Sequence, residues 1–275
     1  MRVHYITYNT TLSRKRIIQM LDKIIDTITL ARNNKNLIPD LSDMMPESVI
    51  EAYAVQEEVV DSFNLSPIGW KVGCTTEMAQ KFSGMTEPFF GVMFAETTFD
   101  SPKSDISLYM NKPIIEPELC FEVEGDIADI GIKYNANNII KHIKSITPVI
   151  EIVDARYEKG WDIKALETIS DNGVHSCLVK GAKLSNWHDY DRLNSEVNLF
   201  IDNEFKCGGR GKNVLNDPLN SITWLANKLI ERGQYIQSGE IITTGNTCDK
   251  PIFVEKNKTI KAVFDNLGEV EMVLN

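Results

Sequence analysis

Two carboxylates stand close together in the segment 114–121, which reads IIEPELCF. Glu116 and Glu118 are two residues apart, and residues at that spacing on a β-strand point to the same face of the sheet. Like charges at this distance repel each other, and burial in an apolar strand makes their ionisation costlier. A divalent cation bound between them would relieve both costs. Pro117 cannot donate a backbone hydrogen bond, which indicates an edge strand or a bulge.

A third carboxylate, Glu151, lies within the apolar segment 148–154. A lone buried glutamate is uncommon unless it is paired or bound to a metal. If its strand lies beside the first, three hard oxygen ligands converge, and these suit Mg²⁺ or Mn²⁺ better than zinc. The alternative is a solvated sheet face, which is the more frequent setting of a Glu-x-Glu pair.

The helices that surround these strands follow from apolar residues at a spacing of 3.6. One helix is predicted over 14–33 with Ser13 as its N-cap, and a second begins near Pro46. A third is predicted over 218–232, where Asp217 is the N-cap. The glycine-rich segment 208–212 matches neither phosphate-loop spacing, so we expect a flexible loop there.

Short β-type segments separated by Gly, Pro, Asn and Asp fill most of the chain after Pro67. The predicted strands are 69–74, 114–123, 149–154, 176–182, 196–202, 240–244, 259–264 and 269–274, and the last two are joined by a hairpin turn at 265–268. Helices followed by strands predict an α+β fold, with an N-terminal helical layer and a mostly antiparallel β unit.

The composition and net charge of the chain indicate which classes of binding partner to expect. The chain has 275 residues, 43% of them apolar, and a formal net charge of −10, which argues against nucleic acid but not against a small anionic substrate. No segment is long and apolar enough to span a membrane, and the N-terminus lacks the apolar core of a signal peptide. We therefore expect no membrane partner and a cytoplasmic location.

The five cysteines are widely spaced and form no CxxC pair, which argues against a structural zinc site. We expect free, mostly buried thiols in a reducing compartment. These residues are Cys74, Cys120, Cys177, Cys207 and Cys248.

From about Ala52 onward, the chain resembles the 2-keto-4-pentenoate hydratases and the related oxalocrotonate decarboxylases of the fumarylacetoacetate hydrolase superfamily. Several segments in the family's order carry the resemblance. They are AYAVQ at 52–56, GWKVG at 69–73, FGVMF at 90–94, EPE at 116–118, IEIVDAR at 150–156, Asp162-Ile163, Asp171-Asn172, the helix block at 215–233 and GEIITTG at 239–245.

The resemblance implies a β-roll of the fumarylacetoacetate hydrolase C-terminal type. We expect a helical region at 1–66, a catalytic β-roll at 67–275 and a homo-oligomer. It further implies that Glu116, Glu118 and Glu151 bind Mg²⁺ or Mn²⁺. The activity it implies is a hydro-lyase reaction of aromatic catabolism. In it, a 2-hydroxy-2,4-dienoate is hydrated to a 4-hydroxy-2-oxo acid.

Roles for other residues follow from the same resemblance. Lys71 is the candidate catalytic proton donor and acceptor near the metal. Asp171 and Asn172 are candidate catalytic residues that orient a water or the substrate, although a helix cap or a turn would explain them as well.

Four residues are candidates for substrate binding. Thr244 and Gly245 could donate to the substrate carboxylate, or they could simply end a strand. Arg156 could pair with Asp154 or with a distal substrate carboxylate. His175 could replace a hydroxyl that the family carries nearby, or it could only pack.

Two departures from the family pattern put the substrate in doubt. Phe89 stands where hydratases often have Asp, which removes a possible acid or base. After Asn172 the family commonly has small residues with a serine, whereas this chain has Gly173, Val174 and His175.

Three alternative functions stay open. The first is decarboxylation of 2-oxo-3-hexenedioate at the same metal site. The second is acylpyruvate-type C–C hydrolysis, against which counts the absence of a His–Glu lid motif from the sequence. The third is a non-catalytic paralogue, which Phe89 and Val174 make conceivable.

Overall fold

The computed structural model describes residues 11–41, 43–106 and 109–275, with side chains from residue 19 onward except that of Phe82. The α-helices of these residues are α1 Thr11–Asn33, α2 Val49–Ser62, α3 Glu77–Ser83, α4 Ala136–Ile139, α5 Ala165–Ser170 and α6 Pro218–Glu231.

The observed N-termini of the helices can be compared with the N-caps predicted from the sequence. Asp217 caps α6 as predicted, because its carboxylate accepts the Leu219 N–H at 2.9 Å. The second helix begins at Val49 rather than near Pro46, and Ser48 is its N-cap. The predicted cap at Ser13 is wrong, because α1 already includes that residue.

Every strand predicted from the sequence has a counterpart in the structure. The strands are β1 Pro67–Gly73, β2 Phe89–Phe94, β3 Thr98–Asp100, β4 Lys103–Ile106, β5 Pro113–Val123, β6 Ile143–Asp154, β7 His175–Lys180, β8 Glu196–Ile201, β9 Glu204–Arg210, β10 Ile241–Thr243, β11 Ile252–Phe253, β12 Lys258–Phe264 and β13 Gly268–Leu274. Of these, β2, β3, β4, β9 and β11 were not predicted.

The strands of the described residues form two sheets. The larger has the order β2-β1-β10-β5-β6-β7-β3 with β11 beside β5, and the smaller has the order β4-β13-β12-β8-β9. Most neighbours are antiparallel, and β1–β10, β3–β7 and β4–β13 are parallel. The larger sheet curls, because β2 contacts β7 across it. This architecture confirms the predicted α+β class and the mostly antiparallel β unit.

The main core lies between the outer face of the curled sheet, the smaller sheet and α6. Phe121, Ile150, Val179 and Leu225 are among its buried residues. A second cluster joins α1 to α2 and includes Ile24, Ile28, Val55, Val59 and Tyr157. We propose that the helical region ends near residue 66 and the β-roll begins at residue 67.

Two local predictions are wrong. Cys207 and Cys248 form a disulfide, so the expectation of free thiols holds only for Cys74, Cys120 and Cys177. The glycine-rich segment is not a loop at its start, because Gly208 to Arg210 belong to β9, which pairs with β8. The backbone there must approach Thr247 and Cys248 closely, which glycine allows.

No helix among the described residues is long and apolar enough to cross a membrane.

Candidate active site

Three glutamates meet on the inner face of the curled sheet. β5 and β6 are antiparallel neighbours, and their register places Glu116 directly opposite Glu151. Glu118 is two residues along β5 and so points to the same face. One carboxylate oxygen from each of the three residues lies within 4.8 Å of the others. The predicted convergence of these carboxylates is therefore present.

Pro117 is compatible with a central position in this sheet because β5 has no regular neighbour there. On that side, β10 pairs with residues 120–122 of β5, and β11 pairs with Ile114 and Ile115. The gap is filled by a loop in which the Thr247 N–H and hydroxyl donate to the Pro117 carbonyl at 3.0 and 2.7 Å. The missing proline N–H therefore leaves no strand partner unsatisfied.

Burial makes two of the three carboxylates, those of Glu116 and Glu118, costly to ionise without a cation. Glu118 is 0% exposed and Glu151 is 1% exposed. Burial, together with the charge of Glu151, raises the pKa of Glu116 to about 7 against the opposing charge of Lys71. Burial and the charges of Glu151 and Glu116 raise the pKa of Glu118 well above its ordinary value.

One oxygen in this cluster has no partner. Glu118 Oε2 accepts the Gly245 N–H at 2.7 Å, whereas the buried Glu118 Oε1 has no hydrogen-bond partner among the described residues. An unsatisfied buried carboxylate oxygen beside two further carboxylates fits a hard divalent cation. These three residues could hold one such ion.

Lys71 supplies the positive charge that faces this cluster. It is 2% exposed, and its Nζ lies 3.4 Å from Glu151 Oε1 and donates to the Gly173 carbonyl at 2.8 Å. The Phe89 ring lies 5.3 Å from the same nitrogen. Burial would raise the pKa of Glu151, but the charge of Lys71 and the hydrogen bond from His175 outweigh it and lower that pKa.

His175 reaches the same carboxylate through a strand irregularity. The β6–β7 register shifts between Ile152 and Val153, which leaves His175 opposite Val153. This bulge turns its ring toward the face of Glu151, and Nδ1 lies 2.7 Å from Glu151 Oε1. Nε2 is buried and has no hydrogen-bond partner among the described residues. Burial, together with the charges of Lys71 and Arg32, lowers the pKa of His175 against the opposing effect of Glu151.

Asp171 and Asn172 lie next to the site, and most of their polar atoms are engaged elsewhere, although Asp171 Oδ2 has no hydrogen-bond partner among the described residues. Asp171 is fully buried and forms an ion pair with Arg32 of α1. The Asn172 amide accepts the Val92 N–H at 2.7 Å and donates to the Val92 carbonyl at 2.9 Å. Asn172 thus replaces a strand neighbour for β2, and neither side chain points free donors at the carboxylates.

The two donors predicted for the substrate carboxylate are also occupied. The Thr244 hydroxyl is buried and donates to the Leu119 carbonyl at 2.9 Å. The Gly245 N–H donates to Glu118, as described above. In this structure the pair holds the loop against β5 and positions Glu118, and its contact with a substrate carboxylate stays a prediction.

Arg156 forms no direct ion pair with Asp154, although the charge of Arg156 acts to lower the pKa of that carboxyl. Its Nη2 donates to the His175 carbonyl at 3.0 Å, while Asp154 accepts the N–H groups of Asn111 and Lys112 at 2.7 and 2.8 Å. The alternative, a contact with a distal substrate carboxylate, stays a prediction.

Two residues of the site, Asn246 and Arg32, were not predicted from the sequence. The side chain of Asn246 bonds to Glu116 and lowers the pKa of that carboxyl. Its position directly after the GEIITTG segment was the only available signal. Arg32 was missed because a cation in the last turn of a helix is well explained by the helix dipole alone.

Comparisons with known proteins find relatives that align over most of the chain. A 2-keto-4-pentenoate hydratase from Burkholderia vietnamiensis strain G4 is 28% identical over 222 residues, which are 80% of this chain and 83% of the relative. The structure of 4-oxalocrotonate decarboxylase from Pseudomonas putida G7, complexed with magnesium and adipate, superposes with a TM-score of 0.85 at 24% identity and covers 97% of this chain and 100% of that one.

A more distant structure shares the β-roll. Fumarylpyruvate hydrolase from Pseudomonas aeruginosa, in complex with Mn²⁺ and pyruvate, has a TM-score of 0.55 at 14% identity and covers 74% of this chain and 88% of that one. No protein-family model matches the chain. The likenesses confirm the fold predicted from the sequence and the resemblance on which that prediction rested.

Proposed function

We propose that this chain, a relative of the 2-keto-4-pentenoate hydratases, is a metal-dependent hydro-lyase. Its substrate would be a 2-hydroxy-2,4-dienoate of the 2-keto-4-pentenoate type, and its product a 4-hydroxy-2-oxo acid. The proposal rests on hydratase relatives that align over most of the chain and on a site with the parts that such a reaction needs.

The observation that carries the proposal is the position of Lys71. Its ammonium group lies 3.4 Å from Glu151, on the same sheet face as three carboxylates that could bind a cation. A lysine ammonium beside a bound dienoate can deliver a proton to the far carbon of the diene, and the resulting amine can take one up from the water that adds. The reaction is balanced, because one water supplies both the hydrogen and the hydroxyl that the substrate gains.

Glu116, Glu118 and Glu151 would hold the cation, which we propose to be Mg²⁺ or Mn²⁺ because the ligands are all carboxylate oxygens. When bound, the ion would supply positive charge at the substrate carboxylate and 2-oxygen. The chain's own contribution is orientation. Gly245 and Asn246 hold Glu118 and Glu116, His175 holds Glu151, and Phe89 covers the Lys71 amine.

A second candidate is decarboxylation of 2-oxo-3-hexenedioate at the same site. Phe89 favours it, because the apolar ring stands beside Lys71 where hydratases often carry an acid. A base that activates water is dispensable when the reaction releases CO₂ instead of adding water. The fold likeness to 4-oxalocrotonate decarboxylase is compatible with either reaction.

The test is incubation of the purified protein with 2-hydroxypenta-2,4-dienoate and Mg²⁺ or Mn²⁺, following the ultraviolet absorbance of the diene. We expect metal-dependent loss of absorbance and formation of 4-hydroxy-2-oxopentanoate. The doubly substituted Glu116→Gln/Glu118→Gln protein should be inactive. Glu122→Gln is the matched control, since Glu122 lies on the same strand but pairs with Lys144 and Lys183.

Absence of turnover despite bound Mn²⁺ would overturn the hydratase proposal. The same preparation, supplied with 2-oxo-3-hexenedioate, would then be assayed for CO₂. Release of CO₂ would establish the second candidate, and inactivity toward both substrates would favour a non-catalytic paralogue.

We also propose a homo-oligomer, from the family resemblance alone, and a cytoplasmic location, from the sequence pattern. Light scattering of the purified protein tests the first. The Cys207–Cys248 disulfide is the feature that speaks against a reducing compartment, so thiol labelling of protein from freshly lysed cells tests the second.

A further inference from the structure

The residues that follow β10 form a loop that contacts both sheets. Near its start, Gly245 and Asn246 reach two of the candidate metal ligands on β5. Two residues further on, Cys248 forms the disulfide with Cys207 of β9, which lies 41 residues earlier in the chain. β9 is the edge strand of the smaller sheet. The disulfide therefore ties a loop that contacts the candidate metal site to the edge of the other sheet.

The side chain of Asn246 connects the backbone of Cys248 with one of the carboxylates. The Cys248 N–H donates to Asn246 Oδ1 at 2.9 Å, which fixes the orientation of the amide. The amide nitrogen is then the group that bonds to Glu116, because an ionised carboxylate can only accept hydrogen bonds. Holding Cys248 in place therefore holds the donor that Asn246 offers to Glu116.

The backbone of the same loop holds a second carboxylate. The Gly245 N–H donates to Glu118 Oε2 at 2.7 Å. Gly245 has a φ of 110°, and a Cβ at this position would lie 1.9 Å from the hydroxyl oxygen of Thr75. Only glycine fits this conformation and this space, so the N–H points at Glu118 because the loop follows one particular path. A different path of the loop would move the donor away from Glu118.

The disulfide is the strongest restraint that joins this loop to β9. Gly209 and Cys248 form an isolated bridge rather than a continuous ladder, and the Asn213 amide donates to the Thr247 carbonyl at 2.8 Å. A Cβ at Gly209 would lie 2.0 Å from that carbonyl oxygen, so glycine allows the backbones to come close enough for the bond. Cys207 and Cys248 are both buried. A covalent bond at this point limits the movement of the loop more than these hydrogen bonds do.

We propose that the Cys207–Cys248 disulfide positions two of the candidate metal ligands, so that the affinity of the chain for a divalent cation depends on whether this bond is formed. With the bond formed, the donors of Asn246 and Gly245 stay beside the two carboxylates. With the bond reduced, the loop gains freedom and the carboxylates lose part of their fixed orientation. The inference rests on the proposed metal site but not on the proposed reaction, because cation binding is measured without turnover.

The experiment measures the Mn²⁺ affinity of the folded chain by electron paramagnetic resonance, first with the disulfide formed and then after its reduction. A phosphine reductant gives the bond two electrons, takes up oxygen from water as its oxide and leaves two thiols; it is removed before the titration. We expect the affinity to fall about tenfold, as it does when partners of ligating side chains are lost. Oxidised glutathione, which takes the two electrons back and leaves as two molecules of glutathione, should restore the affinity. A permanent structural defect would not give this recovery.

Cys207→Ala/Cys248→Ala is the variant that lacks the bond under all conditions. Its Mn²⁺ affinity should match that of the reduced chain, and neither reagent should change it. Cys177→Ala is the matched control, because it removes a buried free thiol from the main core. Its affinity should fall on reduction as that of the unaltered chain does. If the folded chain resists reduction, the double variant supplies the comparison, and if the double variant does not fold, the reduced chain supplies it.

Two results would overturn the inference and leave the metal site in place. One is an unchanged Mn²⁺ affinity after reduction, which would mean that the two bonds from Thr247 to the Pro117 carbonyl hold the loop without the disulfide. The other is the detection of all five cysteines as free thiols after treatment with oxidised glutathione, since the bond would then not form. Absence of Mn²⁺ binding by the oxidised chain would instead overturn the metal site itself, and this inference with it.

Discussion

His175 Nδ1 and Glu151 Oε1 are 2.7 Å apart, and the two residues belong to neighbouring strands, β7 and β6. A carboxylate that must bind a cation needs one fixed orientation, and a ring N–H on its other side provides it. The same oxygen also lies 3.4 Å from Lys71 Nζ. His175 is therefore placed to orient Glu151 within the candidate metal site.

Replacing His175 should weaken metal binding when the new side chain has no donor at the position of Nδ1. We expect His175→Leu to lower the Mn²⁺ affinity about tenfold or more, as loss of hydrogen bonds to ligating side chains usually does. His175→Asn places an amide N–H near the Nδ1 position and should retain most of the affinity. Titration of Mn²⁺ by electron paramagnetic resonance measures both, and equal affinities for the two variants would contradict an orienting role.

Replacing Glu118 should raise the stability of the metal-free protein and lower its affinity for the metal. Because Glu118 is fully buried beside two other carboxylates, Glu118→Gln removes charge repulsion from the metal-free fold and keeps the acceptor for Gly245. We expect the metal-free protein to melt a few degrees higher, since about 1 kcal/mol shifts the midpoint of a chain this size by roughly 2–4 °C. The Mn²⁺ affinity should fall at least about tenfold.

Glu122→Gln is the control for that measurement, because it removes a carboxylate from the same strand outside the site. It should leave Mn²⁺ binding unchanged and should not raise the melting temperature. A metal-free Glu118→Gln protein that melts lower than the unaltered chain would show that the three carboxylates are not in net repulsion.

The alternation of residues on β5 and β6 was sufficient to predict the carboxylate cluster. Glu116 and Glu118 share a face by their spacing alone, and the apolar neighbours of Glu151 marked its strand as buried. The strong amphipathic pattern and cap of α6 likewise predicted that helix at its observed start. Local pattern carries this information because period and burial are properties of single segments.

Features that depend on how distant segments meet could not be predicted in this way. The bulge that turns His175 toward Glu151 arises from the register between two strands, and register is set by tertiary packing. The pairing of Cys207 with Cys248 requires β9 to approach the loop after β10, and β9 has too many glycines to be recognised as a strand. The two hydrogen bonds between the Asn172 side chain and the Val92 backbone have no sequence signature.

Acid should weaken the fold partly through Glu122. Burial opposes ionisation of this carboxyl, but Lys144, Lys183 and Ser145 outweigh it and lower its pKa to about 2. A carboxyl with a lowered pKa stabilises the fold above its unfolded pKa of about 4.3, and this contribution is lost as the pH falls from about 4 to about 2. Because the lysines are largely exposed, we expect Glu122→Gln to cost only about 1 kcal/mol at pH 7.

Urea unfolding at pH 7 and near pH 2 measures this contribution. The unaltered and Glu122→Gln proteins should differ at pH 7 and converge at the lower pH. A difference that persists near pH 2 would show that Glu122 acts through packing rather than through charge.

Gly173 is the position where backbone conformation and the candidate catalytic lysine meet. Its φ is 60°, and a Cβ there would lie 2.9 Å from both Lys71 Cε and the Phe89 ring. Gly173→Ala should therefore add a steric cost to the cost of the left-handed conformation, for a total of about 3 kcal/mol. Gly84→Ala is the matched control, because Gly84 has a φ of 71° and nothing within 4 Å of its Cβ position.

Alanine at Gly84 should cost about 1 kcal/mol of unfolding free energy and leave the activity unchanged. Alanine at Gly173 should also displace Lys71, because the new methyl group occupies the space beside its Cε and disturbs the bond from Nζ to the Gly173 carbonyl. We expect kcat to fall by more than tenfold while Mn²⁺ binding changes little, since no carboxylate moves. Urea unfolding and Mn²⁺ titration on both variants measure these effects, and equal losses of stability in the two would contradict the close contact with Lys71.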